Sequence, residues 1–352
     1  SVNMNVFGSD TATGTTINSV GRQWVSGGGS ATSTTINDGG WQYVMSGGSA
    51  TSTIINSGGI QDIYGGVATG TTINSSGTQL VSSGGSATST TINGGGVQDV
   101  SSGGSATSTT INFGGNQVVS SGGSATSTII NSGGKQLVFS GGSATSTTIN
   151  SGGNQNISSG GLAVITFINN AGIQSVFSGG SATGTTISGG IQYVSGSATS
   201  TTINSGGWQE VSSGGSATDT TINSGGGQYI YGEGSATSTI VNGGGQKVLG
   251  TATGTTINSG GVQYIVGNFG SATGTTINSG GVQTVSSGGS ATSTIVNGGG
   301  QEVFGTATGT TINSGGMQYI VDNFGRATGT TINWGGTQNV SSGGRATSTT
   351  IY

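Results

Sequence analysis

The chain has 352 residues, 78 of them glycine, and contains no cysteine, histidine or proline. Nine acidic and five basic residues give a net charge of −4, so there is no basic surface for nucleic acid or for an anionic membrane. Without histidine and cysteine, a Ser-His-Asp triad, thiolate catalysis and a cysteine-bound zinc are excluded. Collagen is excluded as well, because it needs proline and a glycine at every third position.

One unit recurs along the whole chain. It reads Ala-Thr-(Ser/Gly)-Thr-x-Ile-Asn-x-Gly-Gly-x-Gln-x-Val, and nineteen copies align on the Ala-Thr-x-Thr run at a spacing of mostly 19 residues. All 18 glutamines occupy one repeat position. The period and its apolar content argue against a disordered linker. We predict a single repeat-built domain over residues 1–352, a piece of a longer chain without a membrane barrel or end caps.

The first predicted strand of each unit follows the invariant alanine. Side chains of a strand alternate between its two faces. In the copy that begins at Ala106, this alternation places Thr107, Thr109 and Ile111 on the inner face, and Ser108 on the outer face. The Thr-x-Thr pair is therefore expected to point inward together with the isoleucine.

The second predicted strand carries the glutamine, with Gln117 and Val119 inward and their variable neighbours outward. The Ser-Gly-Gly-Ser-Ala stretch is a candidate for a third strand. A helix is excluded because each glycine costs about 1 kcal/mol there, whereas Thr, Ile and Val favour strands. The predicted fold is all-β, a parallel β-helix (solenoid) of about 18 coils.

Polar residues at the predicted inner positions must find hydrogen-bond partners. Each glutamine amide can donate to the glutamine of one neighbouring coil and accept from the other. Threonine hydroxyls can form the same kind of ladder. The asparagine before the Gly-Gly turn, present in 17 of 19 copies, is predicted to form a third ladder.

Two alternative functions remain open at this point. A parallel β-helix can bind or cleave polysaccharides, and Asp62 and Asp99 occupy the same repeat position two coils apart. That separation is about 10 Å, and a glycosidase pair needs roughly 5–9.5 Å, so the acids are interpreted as isolated surface residues. An ice-binding solenoid is the second alternative, because Thr pairs such as Thr32 and Thr34 recur; it requires them to face outward.

Aromatic residues beside the repeated glutamine are predicted to face outward and to contact sugars or proteins. The candidates for surface contact are Trp24, Trp41, Tyr43, Tyr193 and Trp208.

One divergent coil, residues 162–168, places Ile165 and Phe167 outward. It is either a docking patch or a drifted repeat.

The unit Ser-Gly-Gly-Ser-Ala-Thr-Ser-Thr-Thr-Ile-Asn-Ser-Gly-Gly-x-Gln-x-Val resembles the passenger repeats of self-associating autotransporter adhesins of the TibA and diffuse-adherence type. The resemblance covers essentially the whole chain. It implies a non-enzymatic β-helical passenger at the bacterial cell surface, exported through an outer-membrane barrel that is not in this chain. It also implies host-cell adhesion, autoaggregation and biofilm formation, with no cofactor other than covalent O-linked heptose. A cytoplasmic heptosyltransferase would add this sugar before export.

Three serine positions recur and are the candidate sites of glycan attachment, all of them expected to be accessible. The corner serines follow Ala-Thr: Ser52, Ser89, Ser108, Ser127 and Ser146. The turn serines follow the asparagine: Ser57, Ser132, Ser151, Ser205 and Ser224. The pre-alanine serines are Ser49, Ser86, Ser105, Ser124, Ser143 and Ser216.

Overall fold

The computed structural model describes residues 2–341 and 343–352. The chain is a parallel β-solenoid of about 18 turns with a spacing of ~19 residues, as predicted. No helix long and apolar enough to cross a membrane occurs among the described residues. The solenoid divides into two compact units, one ending at Ala182 and one beginning at Thr183. The predicted single domain over 1–352 stays a prediction.

Of the stretch predicted as a third strand, only the final Ser-Ala lies in a strand, and its glycines lie outside the strands. Each coil nevertheless contains up to three short strands, because the first predicted strand is interrupted within the Ala-Thr-Ser-Thr run in most coils. We call them the Gln strand, the Ala strand and the Ile strand after their central inward residues. Within each unit, every strand pairs in parallel with its equivalent in the next coil; Gln117, for example, lies in register with Gln98 and Gln136.

The Gln strands of the first unit are Asn3–Val6, Arg22–Val25, Trp41–Met45, Ile60–Tyr64, Thr78–Ser82, Val97–Val100, Asn116–Val119, Lys135–Val138, Asn154–Ile157 and Ile173–Val176. Its Ala strands are Thr11–Thr13, Ser30–Thr32, Ser49–Thr51, Val67–Thr69, Ser86–Thr88, Ser105–Thr107, Ser124–Thr126 and Ser181–Thr183, the last ending one residue beyond the unit. Its Ile strands are Thr16–Ile17, Thr35–Ile36, Ile54–Ile55, Thr72–Ile73, Thr91–Ile92, Thr110–Ile111 and Ile129–Ile130. In two coils the Ala and Ile strands are continuous, as Ser143–Ile149 and Leu162–Ile168.

The Gln strands of the second unit are Ile191–Val194, Trp208–Val211, Gly227–Ile230, Gly245–Val248, Val262–Ile265, Val282–Val285, Gly300–Val303, Met317–Ile320 and Thr337–Val340. Its further Ala strands are Ser197–Thr199, Ser216–Thr218, Ser235–Thr237, Thr251–Thr253, Ser271–Thr273, Ser290–Thr292, Thr306–Thr308, Arg326–Thr328 and Arg345–Thr347. Its Ile strands are Thr186–Ile187, Thr202–Ile203, Thr221–Ile222, Ile240–Val241, Thr256–Ile257, Thr276–Asn278, Ile295–Asn297, Thr311–Ile312, Thr331–Ile332 and Thr350–Ile351.

The core of each coil is formed by five inward side chains. In a central coil these are Ala106, Thr109, Ile111, Gln117 and Val119, and each is fully buried. Burial of an Ile or Val side chain contributes about 1.5–3 kcal/mol. The small alanine and the large isoleucine repeat at fixed places, so successive coils stack with the same cross-section.

The predicted inward orientation of Thr107 is wrong. Thr107 is only half-buried, while Thr109 is fully buried. Ser108 between them has a φ of 57°, which is the left-handed region and breaks the alternation of an extended strand. The chain turns a corner at this serine, so the first threonine faces outward and the second faces inward.

Buried glutamines form the predicted ladder. Gln117 Nε2 donates to Gln98 Oε1 at 2.7 Å, and Gln117 Oε1 accepts from Gln136 Nε2 at 2.7 Å. The predicted threonine ladder is wrong, because the inward threonine hydroxyl bonds to glutamine instead: Thr128 Oγ1 donates to Gln117 Oε1 at 3.1 Å. Thr128 lies between Gln117 and Gln136 along the chain, within reach of the amide oxygen of Gln117.

Turn asparagines form the predicted outer ladder, as where Asn112 Nδ2 donates to Asn93 Oδ1 at 2.9 Å. The two glycines that follow have different roles. Gly114 has a φ of 74°, which glycine adopts without strain. At Gly115, a Cβ would lie 2.7 Å from the carbonyl oxygen of Ile92, so close stacking of the coils requires glycine.

We expect Gln117→Leu to lower the free energy of unfolding by roughly 2–4 kcal/mol, because it leaves the amide of Gln136 and the hydroxyl of Thr128 without their acceptor, at ~1–3 kcal/mol for each buried group. Chemical denaturation measures the loss. Val118→Thr, on the outer face of the same strand, is the control and should change stability by less than about 0.5 kcal/mol. Equal stability of Gln117→Leu and the natural chain would contradict the stabilising role of the ladder.

We expect Ile165→Gly to raise the free energy of unfolding by roughly 0.5–1 kcal/mol. Ile165 occupies the corner position with a φ of 56°, which costs a β-branched residue ~1–2 kcal/mol. Ile54 has a matching exposure, 42% against 43%, but lies in the extended strand Ile54–Ile55. Ile54→Gly should therefore destabilise by about 1 kcal/mol, and opposite signs for the two variants in thermal unfolding check the prediction.

Candidate binding and modification surface

Most of the corner serines project from their coils into solvent. Ser52, Ser89, Ser108 and Ser127 are exposed, with φ values between 54° and 57°, whereas Ser146 is half-buried. Several other coils place glycine at this corner, also with positive φ. The left-handed backbone explains why serine and glycine interchange at this corner. It favours glycine, which has no side chain, and tolerates the short side chain of serine.

The other two serine rows differ in exposure. The turn serines Ser57, Ser132, Ser151, Ser205 and Ser224 are exposed. The pre-alanine serines Ser49, Ser86, Ser105, Ser124, Ser143 and Ser216 are all half-buried. They lie within the Ala strands, where the equivalent residues of the coils on both sides cover part of each side chain. This row is less accessible than the sequence led us to expect.

Three of the predicted contact residues form one aromatic stack on the first unit. The rings of Trp24 and Tyr43 lie 4.0 Å apart between centroids at an interplanar angle of 14°, and those of Trp41 and Tyr43 lie 5.5 Å apart at 15°. All three side chains are half-buried. They therefore cover one another as well as facing solvent.

The second unit carries a different aromatic arrangement. Trp208 is 38% exposed and stacks on Tyr229, with centroids 5.0 Å apart and an interplanar angle of 26°. Lys247 Nζ lies 5.7 Å from the centroid of the Tyr229 ring. Beside these residues and Tyr264 is an open trough of about 620 Å³ whose lining includes Gly245. Tyr193, the fifth predicted contact residue, is 37% exposed and does not line this trough.

The two side chains of the divergent coil that were predicted to face outward do so. Ile165 and Phe167 are 43% and 46% exposed. Both lie in the continuous strand Leu162–Ile168.

The carboxylates do not form a shared site. Asp62 and Asp99 flank Leu80, which lies in register between them on the same face. Burial raises the pKa of both carboxyl groups, and Asp99 Oδ1 is buried without a hydrogen-bond partner. Desolvation rather than a charged neighbour causes both shifts, which is typical of isolated acids. Among the described residues, no group of three or more His, Cys, Asp or Glu side chains could hold a metal ion.

The threonine rows differ from the arrangement on which the ice-binding hypothesis depends. That hypothesis needs both threonines of the Thr-x-Thr run to face solvent. Thr34 is fully buried, and Thr32 is half-buried. The run therefore presents a single threonine row.

Comparison with known proteins agrees with this repeat architecture. A family model described as AIDA, adhesin of bacterial autotransporter system, probable stalk, matches residues 36–77, 62–115, 111–153, 194–245 and 261–316. Among solved structures, the crystal structure of a TibC-catalysed, hyper-glycosylated TibA fragment matches with a TM-score of 0.64 and 43% sequence identity, over 96% of this chain and 99% of that one. A search of the curated proteins returned no match. The chain belongs to the family of bacterial autotransporter adhesins, as a passenger of the TibA type built from stalk repeats.

Proposed function

We propose that this chain is the heptosylated surface passenger of a non-enzymatic adhesin. A cytoplasmic heptosyltransferase modifies its repeat serines before export through an outer-membrane barrel. The displayed passenger then binds host cells and identical passengers. The observation that supports this most directly is the row of exposed corner serines. In consecutive coils with serine at this position, as at Ser89, Ser108 and Ser127, their hydroxyls recur at a spacing of about 4.8 Å.

The geometry of the corner favours these serines as acceptors. The left-handed backbone at Ser108 directs its side chain away from the strand and into solvent. Its hydroxyl makes no hydrogen bond within the part of the chain that the structure describes, whereas the inward Thr109 donates to Gln98. A transferase can thus reach the serine without unpacking the core. The likeness to a hyper-glycosylated fragment, at 43% identity, adds independent support for a sugar on these repeats.

Adhesion of this kind would be distributed along the solenoid. Equivalent outward positions recur in every coil, so weak contacts at several coils combine into a higher overall affinity. This accounts for binding without a single deep pocket.

We expect the quadruple variant Ser52→Gly, Ser89→Gly, Ser108→Gly and Ser127→Gly to lose one heptose mass per substituted serine when it is produced with the heptosyltransferase. Glycine occupies the same corner in other coils with positive φ, so the fold should persist. Intact mass and peptide mass spectrometry measure the change. The matched control replaces four turn serines, Ser57, Ser132, Ser151 and Ser205, with glycine.

The same variants test whether adhesion depends on the modification. Bacteria that display the corner variant should adhere less to host cells than bacteria that display the natural passenger. An unmodified natural chain in the presence of the transferase would refute the heptose proposal. An unchanged mass in the corner variant, together with a loss in the control, would move the acceptor sites to the turn.

A further inference from the structure

The trough on the second unit arises from two missing side chains. In the column of residues before each glutamine, Trp208, Gly227, Gly245 and Val262 lie in register in consecutive coils. A Cβ at Gly227 would overlap the indole ring of Trp208, so the ring lies flat over that glycine. A Cβ at Gly245 would meet nothing within 4 Å. The trough floor is therefore bare backbone at Gly245.

One side of the trough is formed by the column after each glutamine, where Tyr229, Lys247 and Tyr264 are in register. Tyr264 is 46% exposed, and Lys247 is exposed as well. Lys247 is the only charged residue in the lining. The trough thus combines flat aromatic surfaces with a single cation.

These features fit a sugar with an acidic group. The C–H face of a pyranose ring is a flat apolar surface that stacks on aromatic rings, whereas its polar edge needs hydrogen-bond donors. Ligand sites typically enclose about 300–1,000 Å³, with apolar walls and few polar groups, and the trough has about 620 Å³. The Lys247 ammonium provides the charge complement of a carboxylate.

We infer that the trough formed by Trp208, Tyr229, Gly245, Lys247 and Tyr264 binds one carboxylated pyranose, such as a terminal acidic sugar of a host glycan. The ring lies over Gly245 and stacks on the aromatic walls, while its carboxylate pairs with Lys247. This inference deepens the adhesive role and rests on it for its biological setting. The binding itself requires no heptose on the chain.

The chain contains its own control for this site. Residues 290–336 repeat residues 235–281 closely at an offset of 55, so Gly300 corresponds to Gly245. There the preceding coil has Val282 and Thr284 in place of Gly227 and Tyr229, and Glu302 replaces the lysine. Thr284 Oγ1 donates to Glu302 Oε2 at 3.3 Å. This copy has the floor glycine without the aromatic stack or the cation.

The test uses the full chain produced without heptosyltransferase. Saturation-transfer NMR and titration would compare methyl β-D-glucuronide, the methyl α-glycoside of N-acetylneuraminic acid and neutral methyl β-D-glucopyranoside. We expect at least one acidic sugar to bind with a Kd on the order of 1 mM, as is typical of so small a ligand, and at least fivefold more tightly than the glucoside. Absence of binding for both acidic sugars overturns the inference.

Gly245→Val should abolish this binding, because valine fills the trough. Valine occupies the same position in neighbouring coils at Val262 and Val282, so the fold should be retained or slightly stabilised. Gly300→Val is the matched control, since a Cβ there also meets nothing within 4 Å; it should leave binding unchanged. Equal affinity in the Gly245→Val variant would place any bound sugar elsewhere and refute the site.

Lys247→Gln tests the carboxylate pairing. In this variant the acidic sugar and the glucoside should bind with about the same Kd. Lys135→Gln, on the first unit, makes the same charge change and should preserve the preference for the acidic sugar. An unaltered preference in Lys247→Gln would overturn the assignment of the acidic group. Because no chain in this experiment carries heptose, its outcome is independent of whether the serines are modified.

Discussion

The glutamine ladder is the interaction on which the rest of the solenoid depends. A buried primary amide has two donors and an acceptor that must be satisfied. In this chain the amide oxygen of Gln117 accepts from Gln136 Nε2 and from Thr128 Oγ1, while Gln136 Nε2 also donates to Thr128. A shift of one residue between coils would point every glutamine outward and every neighbour inward. The ladder therefore fixes the register between coils, because any other register would take the glutamine amides out of their hydrogen bonds.

Fixed register explains how coil length can vary without disrupting the core. The step between Gln246 and Gln263 is 17 residues, and the step between Gln263 and Gln283 is 20, yet both pairs keep donor–acceptor distances of 2.7 Å. Insertions and deletions fall in the turns, where backbone groups can reach solvent. The inward residues are restricted by their neighbours above and below, whereas the outward residues are free to change.

The difference between restricted inward residues and variable outward residues determines how much of the structure could be predicted from the sequence. The fold and the inward Gln and Ile positions were predictable because restricted positions recur with a period of two inside each strand. The orientation of Thr107 was not, because alternation assumes extended backbone and Ser108 has a left-handed φ. The exchange of Ser for Gly at that corner was the available signal, since glycine marks positions that favour positive φ. The trough at Gly245 depends on ring orientation over a neighbouring coil, which a linear pattern does not contain.

The difference between inward and outward positions also explains how a solenoid adhesin can gain binding sites. In a stack stabilised by nearest-neighbour contacts, an outward substitution affects mainly its own coil and the two adjacent ones. After the duplication that relates Gly245 to Gly300, the surrounding outward residues differ as Lys247 and Glu302, while Gln246 and Gln301 keep the same ladder bonds. Duplication supplies a copy with an intact core, and outward changes then give each copy a different surface. Because the inward residues keep the core intact, the outward residues can change, and the surface can come to recognise different ligands.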